Sequence, residues 1–153
     1  MKRGWIIGGV VLLLAIAGIY AVSFRGGSTS AIQLVTEKGN ADMIRMAEPV
    51  ADAVVRSPLT VSGEARGNWF FEASFPVLLL DEQGNALAQL PAQAGVNPAD
   101  GGAGWMTTDY VPFAATVSFD AGTSTQGTLV LKKDNPSGLP QYDDQVRISV
   151  RFK

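Results

Sequence analysis

Residues 63–85 read GEARGNWFFEASFPVLLLDEQGN, and this stretch indicates the fold class. It joins three consecutive aromatic residues, 69–71, to an apolar run that extends from Phe75 to Leu80. Aromatic and branched side chains at this density favour a β-strand. The run ends in Asp-Glu-Gln-Gly-Asn, which is typical of a tight turn. The stretch therefore predicts a buried strand followed by a turn in an all-β domain.

Alternation within this stretch predicts which side chains face the core. Successive side chains of a strand point to opposite faces, so every second residue shares a face. The predicted inner face comprises Trp69, Phe71, Ala73, Phe75, Val77 and Leu79. Pro76 has no N–H group and therefore indicates an edge or a bulge. A bulge would shift the phase and turn Leu78 and Leu80 inward instead, and the sequence leaves both arrangements open.

Similar alternation recurs towards the C-terminus. One set of alternating apolar residues is Val111, Phe113, Ala115, Val117 and Phe119. Another is Val146, Ile148, Val150 and Phe152, which are interleaved with polar residues. The second pattern predicts a strand with one buried and one solvated face. Several such strands separated by turn signals predict a β-sandwich.

Composition and charge exclude several functions. The chain contains no cysteine and no histidine, which rules out disulfides, thiol nucleophiles, Cys/His zinc sites and a histidine base. The net charge of −2 is uneven, because Lys2, Arg3 and Arg25 make the first 25 residues positive. The remaining residues have nine basic against fourteen acidic side chains. An acidic domain of this kind argues against nucleic acid as a partner.

The N-terminal segment has the properties of a membrane anchor. Residues 5–24 contain no charged side chain, and Lys2 and Arg3 precede them. About 20 apolar residues span the hydrocarbon core, and the flanking positive charges predict a cytoplasmic N-terminus. We therefore expect a single-pass transmembrane helix with an extracytoplasmic C-terminal domain. The alternative is a signal peptide that is cleaved after Ser23, which would release a secreted protein.

The predicted organisation has three parts. Residues 1–25 form the anchor or signal peptide, and residues 26–43 form a linker that begins Gly-Gly-Ser-Thr-Ser. Residues 44–153 form the β-sandwich domain.

Several separated motifs resemble one known family. The relevant segments are Ser57–Ala65, Trp69–Ala73, Leu80–Asp81 with Gly84, Lys133–Pro140 and Val146–Phe152. In this order they resemble the Gmad2 family, the immunoglobulin-like domain named from bacterial spore-germination proteins. The resemblance covers roughly residues 44–152. It implies an immunoglobulin-like sandwich in an exported or membrane-tethered bacterial protein, and it carries over no catalytic residue.

The candidate binding residues fall into two groups. Trp69, Trp105 and Tyr110 could form an aromatic platform for a glycan or a peptide. The alternative places Trp69 in the core and Trp105 over one end of the sandwich. Oxygen atoms in the second group could hold calcium, although a loop capped by its own Asx turns is favoured, and no metal or other cofactor is predicted. That group consists of Asp134, Asn135, Asp143 and Asp144.

These observations predict a binding or structural module of the cell envelope rather than an enzyme. Asp81 and Glu82 are adjacent acids, but their turn context predicts solvated side chains rather than a catalytic pair. The module is expected to contact an unknown envelope protein through its long loops, 92–109 and 134–144, or through an edge strand. The alternative is a carbohydrate- or peptidoglycan-binding module, with or without calcium.

Overall fold

The structure is a computed structural model that describes residues 31–96 and 104–153. Within these residues it contains nine β-strands and two short 3-10 turns, Gly67–Trp69 and Pro140–Tyr142. The strands are β1 Ile32–Leu34, β2 Ile44–Glu48, β3 Ala53–Val55, β4 Leu59–Arg66, β5 Ser74–Asp81, β6 Ala86–Ala94, β7 Tyr110–Val117, β8 Gln126–Lys132 and β9 Gln145–Phe152. The prediction of an all-β domain is confirmed.

The strands form one curled sheet in the order β1-β2-β4-β7-β6-β5-β8-β9-β3. All neighbours are antiparallel except β3 and β9, which are parallel. Strands β6 and β7 pair only through Gln93 with Ala114 and Ala94 with Phe113. This short pairing is the corner at which β1-β2-β4-β7 passes into the second layer of an immunoglobulin-like sandwich.

Strand β5 resolves the two arrangements that the sequence left open. Phe75, Val77 and Leu79 are fully buried, whereas Pro76, Leu78 and Leu80 are half-buried. Pro76 lies opposite Pro91 of β6 without shifting the phase, and the irregularity in register falls between Leu79 and Leu80 instead. Because neither proline has an N–H, this pair occupies a position where the ladder needs no donor from either residue.

The prediction that the alternation of β5 continues back through Ala73 and Phe71 is wrong, although Trp69 does lie in the core as predicted. A 3-10 turn covers Gly67–Trp69, and the backbone of Phe71 exchanges hydrogen bonds with Ser74 in both directions. Between them Glu72 and Ala73 have φ of 48° and 59°. Two successive left-handed residues reverse the chain as in a two-residue hairpin, so the alternation cannot continue through them.

The C-terminal strands follow the predicted alternation. Val146, Ile148 and Val150 of β9 are buried, and Arg147 and Ser149 between them are exposed. Strand β7 buries Val111, Phe113, Ala115 and Val117 in the same way. These faces meet β4, β5 and β8 in one apolar core. These strands therefore each have one face in the core and one face in solvent.

The start of the domain differs from the predicted linker of residues 26–43. Ile32–Leu34 is strand β1, which pairs with β2 through Leu34 and Ile44. The folded sheet therefore begins before residue 44. The predicted anchor at residues 5–24 lies outside the described residues. Within residues 31–96 and 104–153, the structure has no helix of the length and apolar character needed to cross a membrane.

Connections at the two ends of the sandwich differ in length. Strand directions place four connections at one end, which we call the loop end: 35–43, 67–73, 95–109 and 133–144. The opposite end carries the shorter connections 56–58, 82–85 and 118–125. Connection 49–52 instead links β2 to β3, which run in the same direction, part-way along the sandwich. Lys153 follows β9 at the opposite end, and β1 runs from that direction towards the loop end. The long connections therefore lie at one end, whereas Lys153 lies at the other and the described chain enters β1 from that direction.

Candidate functional site

Hydrogen bonds join the four connections of the loop end into one surface. Lys38 Nζ donates to the carbonyl oxygen of Gln141 at 2.6 Å, which links the first connection to the fourth. The Gly67 N–H donates to the Asp109 carbonyl at 3.2 Å, which links the second to the third. The Asp134 N–H donates to the Trp69 carbonyl at 3.0 Å, which links the fourth to the second. Loops tied together in this way can present a defined binding surface.

Asp144 is the centre of the contact between the first and fourth connections. Its Oδ2 accepts hydrogen bonds from the Thr36 hydroxyl at 2.7 Å and the Asn40 amide at 3.1 Å. Its Oδ1 accepts from the backbone N–H groups of Lys38 and Gln145. Partial burial raises the pKa of Asp144, but these hydrogen bonds outweigh it, so the pKa lies below its ordinary value.

The other residues of the calcium candidate are also held by the protein. Asn135 donates to Asp143 Oδ1 at 2.7 Å and to the Leu139 carbonyl at 2.9 Å, and it accepts from the Ser137 hydroxyl. Asp134 contributes its backbone N–H to Trp69. No group of three or more Asp and Glu side chains within the described residues is arranged to hold a metal ion. The loop is therefore held by hydrogen bonds among its own side chains and backbone, including one from the Leu139 N–H to the Ser137 hydroxyl at 3.2 Å.

Trp69 is a core residue rather than part of an exposed platform. Its side chain is fully buried and packs in the apolar core. The Nε1 group has no hydrogen-bond partner in the structure as described. A ring in this position stabilises the sandwich and cannot stack on a ligand from outside.

Trp105 covers the loop end of the core. It is half-buried, packs against the core and meets Phe71 edge-on with ring centroids 6.4 Å apart. The connection that carries Trp105 lies close to Gly67, where an added Cβ would overlap the carbonyl oxygens of Trp105 and Thr107. A glycine at position 67 is therefore needed for this close approach.

Tyr110 is located on the outer face of the first layer. The guanidinium carbons of Arg45 and Arg66 lie 3.7 and 3.9 Å from its ring centroid. Its hydroxyl donates to Asp42 Oδ1 at 2.8 Å. The hydroxyl of Tyr110 and the guanidinium of Arg66 hold the pKa of Asp42 below its ordinary value. Tyr110 is thus the centre of a cation–π cluster, and the structure does not gather Trp69, Trp105 and Tyr110 into one exposed surface.

The sequence analysis missed a set of exposed apolar side chains. They lie on the four loop-end connections: Val35, Phe71, Val96, Met106, Leu139 and Tyr142. Met106 is 77% exposed and Val96 is 72% exposed. Monomeric proteins commonly expose single apolar residues, but a group at one end indicates an interaction surface. The sequence could have indicated these residues, because they are apolar side chains within segments rich in Gly, Pro, Asn and Asp.

Charge at the loop end is strongly negative. Its described connections contain the basic residues Lys38 and Lys133. The acidic residues are seven in number: Glu37, Asp42, Glu72, Asp109, Asp134, Asp143 and Asp144. By contrast, the connections of the opposite end contain Glu82 and Asp120 against Arg56. The loop end therefore combines exposed apolar side chains with a surplus of carboxylates.

Asp81 and Glu82 lie in the turn at the opposite end, and each caps backbone groups. Asp81 Oδ1 accepts from the N–H groups of Gln83 and Asn85, and the Asn85 side chain and these N–H groups lower the pKa of Asp81. Glu82 Oε1 accepts from the Thr125 and Gln126 N–H groups at 2.9 and 3.0 Å, which lowers the pKa of Glu82. Both acids stabilise turns, in agreement with the turn interpretation of this segment.

Comparison with known proteins identifies one family. The Gmad2 family model, described as the immunoglobulin-like domain of bacterial spore germination, matches residues 43–139. This range covers more than half of the chain and extends from β2 into the last loop-end connection. No curated protein and no solved structure matches the chain.

Proposed function

We propose, since the chain belongs to the Gmad2 family of immunoglobulin-like domains, that it acts as a protein-interaction module held outside the bacterial cytoplasmic membrane. The observation that carries this proposal is the separation of the long loops from Lys153 and from the start of β1. All four long connections lie at one end of the sandwich, and the chain enters β1 from the direction of the other. A rigid sandwich that displays loops away from its attachment point is well suited to recognition.

The tether would keep the domain close to the membrane. Residues 5–24 are apolar and uncharged, and Lys2 and Arg3 precede them. The seven residues from Arg25 to Ala31 can span at most about 25 Å at ~3.6 Å per residue. The domain would then stay within roughly this distance of the membrane surface.

The site chemistry supports binding rather than catalysis. The sequence has no histidine and no cysteine to act as a base or a nucleophile. The carboxylates of Asp81, Glu82 and Asp144 accept hydrogen bonds from turn and loop groups, so their pKa values fall rather than rise. A general acid at neutral pH requires the contrary shift.

The exposed surface favours a protein over a glycan. Sugar rings bind on open aromatic faces, whereas Trp69 is buried and the Tyr110 ring contacts two guanidinium groups. Exposed aliphatic and thioether side chains such as Val96 and Met106 instead resemble the adaptable contacts of protein interfaces. The carbohydrate-binding alternative therefore has less support than protein interaction.

Topology and contact can be tested in intact cells. Protease added to spheroplasts is expected to degrade the domain after Arg25 and to leave the N-terminal segment in the membrane. A photocrosslinking residue at Met106 is expected to capture an envelope protein, and one at Val54, at the opposite end, is expected to capture much less. Protection of the domain from protease would refute the orientation, and equal crosslinking from both positions would refute the assignment of recognition to the loops.

A further inference from the structure

We infer that the loop end is a docking surface for a protein segment that carries both apolar and basic side chains. This inference rests on the proposed interaction function and specifies the chemistry of the partner.

The apolar component is concentrated at this end. Among the described residues, nine large apolar side chains are exposed, and six of them are located on its connections, namely Val35, Phe71, Val96, Met106, Leu139 and Tyr142. Phe71 is 40% exposed although its ring also meets Trp105. Side chains of this type gain free energy when a partner removes them from water, at roughly 25 cal/mol per Å².

The charge of the loop end determines which charge the partner should carry. The described loop-end connections carry seven acidic residues against two basic ones. Asp42 forms an ion pair with Arg66 at the end of β4, which offsets its charge, and Asp144 accepts four hydrogen bonds from neighbouring groups. The Glu72 and Asp134 side chains form no hydrogen bond or ion pair with the described residues, which leaves their carboxylates available to a partner. Complementary charge would guide a basic segment to this surface.

The surface is held in place before any partner binds. Lys38 donates to the carbonyls of Pro140 and Gln141, and Arg66 donates to the Thr108 carbonyl. Two open clefts of about 410 Å³ each flank the segment 36–43, one beside Arg66 and the other beside Lys133. Because these connections are already tied together, less ordering entropy is lost on binding.

Other occupants fit less well. A second copy of the chain that docked by the same surface would bring two acidic loop ends together. Anionic lipid, nucleic acid and acidic envelope polymers would meet the same repulsion. A basic protein segment with apolar side chains satisfies both components of the surface.

The test uses the full chain in nanodiscs of zwitterionic lipid, with empty nanodiscs as the reference. Three short labelled peptides serve as probes: alternating lysine and leucine, alternating glutamate and leucine, and alternating lysine and serine. We expect measurable binding of the lysine–leucine peptide that weakens as salt increases, and roughly tenfold weaker binding of the other two.

Paired variants locate the binding. Met106→Ser with Leu139→Ser, and separately Glu72→Lys with Asp134→Lys, should each weaken binding of the lysine–leucine peptide roughly tenfold. The matched controls, away from the loop end, are Val50→Ser with Val54→Ser, and Glu48→Lys with Asp52→Lys, which should leave it unchanged.

Two results would overturn the inference: equal binding of the lysine–leucine and glutamate–leucine peptides, or equal loss of binding from the loop-end changes and from the control changes. If either result occurs while a crosslinker at Met106 still captures an envelope protein, the proposed interaction function stands and the partner chemistry is wrong.

Discussion

The hydroxyl of Thr36 donates a 2.7 Å hydrogen bond to Asp144, a residue 108 positions away along the chain. Thr36 is 4% exposed, and its oxygen also accepts from the Asn40 N–H. The bond fixes the connection after β1 to the connection before β9. It therefore joins the first and last parts of the described domain at the surface that we assign to binding.

Removal of the Asp144 carboxylate is expected to destabilise the domain. Asp144→Ala leaves the buried Thr36 hydroxyl without its acceptor, which should cost about 1–3 kcal/mol. Asp144→Asn retains one oxygen acceptor and should cost less. Chemical denaturation of both variants at neutral pH measures the difference. If Asp144→Ala is as stable as wild type, water has replaced the carboxylate as the acceptor for the Thr36 hydroxyl.

Stability should also depend on pH through Asp144. Its pKa is lower in the folded state than the ordinary value of about 3.9, so the folded state favours the charged form. The stabilisation is therefore fully present above that ordinary pKa and is lost as pH falls through the folded pKa. Between about pH 6 and pH 2, the free energy of unfolding should fall more steeply for wild type than for Asp144→Asn. Denaturation at a series of pH values measures it. Parallel curves would contradict this assignment.

Two neighbours in β9 should respond differently to the same change. Ile148 is buried and Arg147 is exposed. Ile148→Asp places an unpaired charge in the core and should cost at least about 3 kcal/mol, whereas Arg147→Asp should cost about 0.5 kcal/mol or less. The free energies of unfolding of the two variants test the facing of the strand. Equal losses would mean that the strand has no distinct inner face.

The reversal at Glu72 and Ala73 offers a stabilising substitution. Ala73 has φ of 59°, a conformation that glycine adopts without the steric cost of a Cβ. Ala73→Gly should therefore raise stability by about 0.5–1 kcal/mol, since the relief exceeds the added flexibility of the unfolded chain. Ala86→Gly, in strand β6, is the control and should lower stability. A loss at both positions would indicate that residue 73 is not left-handed.

The sequence predicted those strands whose side chains alternate between the core and the solvent, because that pattern lies within a single segment. Strand β9 was predictable because its core face alternates with Arg147 and Ser149. Alternation failed at Phe71, because Glu72 and Ala73 adopt positive φ without the Asn-Gly signal that usually marks such a turn. Nothing local to either residue indicates this reversal.

The candidate site depended on contacts between distant segments, which the sequence could not supply. Tyr110 was predicted as a binding residue because it is aromatic, but strand register places Arg45 and Arg66 against its ring. Asp144 was considered as a calcium ligand, yet Thr36 and Asn40 from the first connection supply its hydrogen bonds. The loop end could be recognised only after strand order had placed four connections together.

The close approach of Gly67 to the connection that carries Trp105 gives a final prediction. A Cβ at position 67 would overlap the carbonyl oxygens of Trp105 and Thr107, which are backbone atoms that cannot rotate away. Gly67→Ala should therefore displace this connection and cost about 1–3 kcal/mol. Gly95→Ala is the matched control, because its nearest neighbour is the Pro112 ring at 3.3 Å, and it should cost less.

Unfolding experiments measure the cost of each substitution, and a red shift of tryptophan emission reports exposure of Trp105. Since the displaced connection also carries Met106, crosslinking from that position should fall in Gly67→Ala and persist in Gly95→Ala. Equal behaviour of the two variants would show that the contact at Gly67 does not shape the loop end.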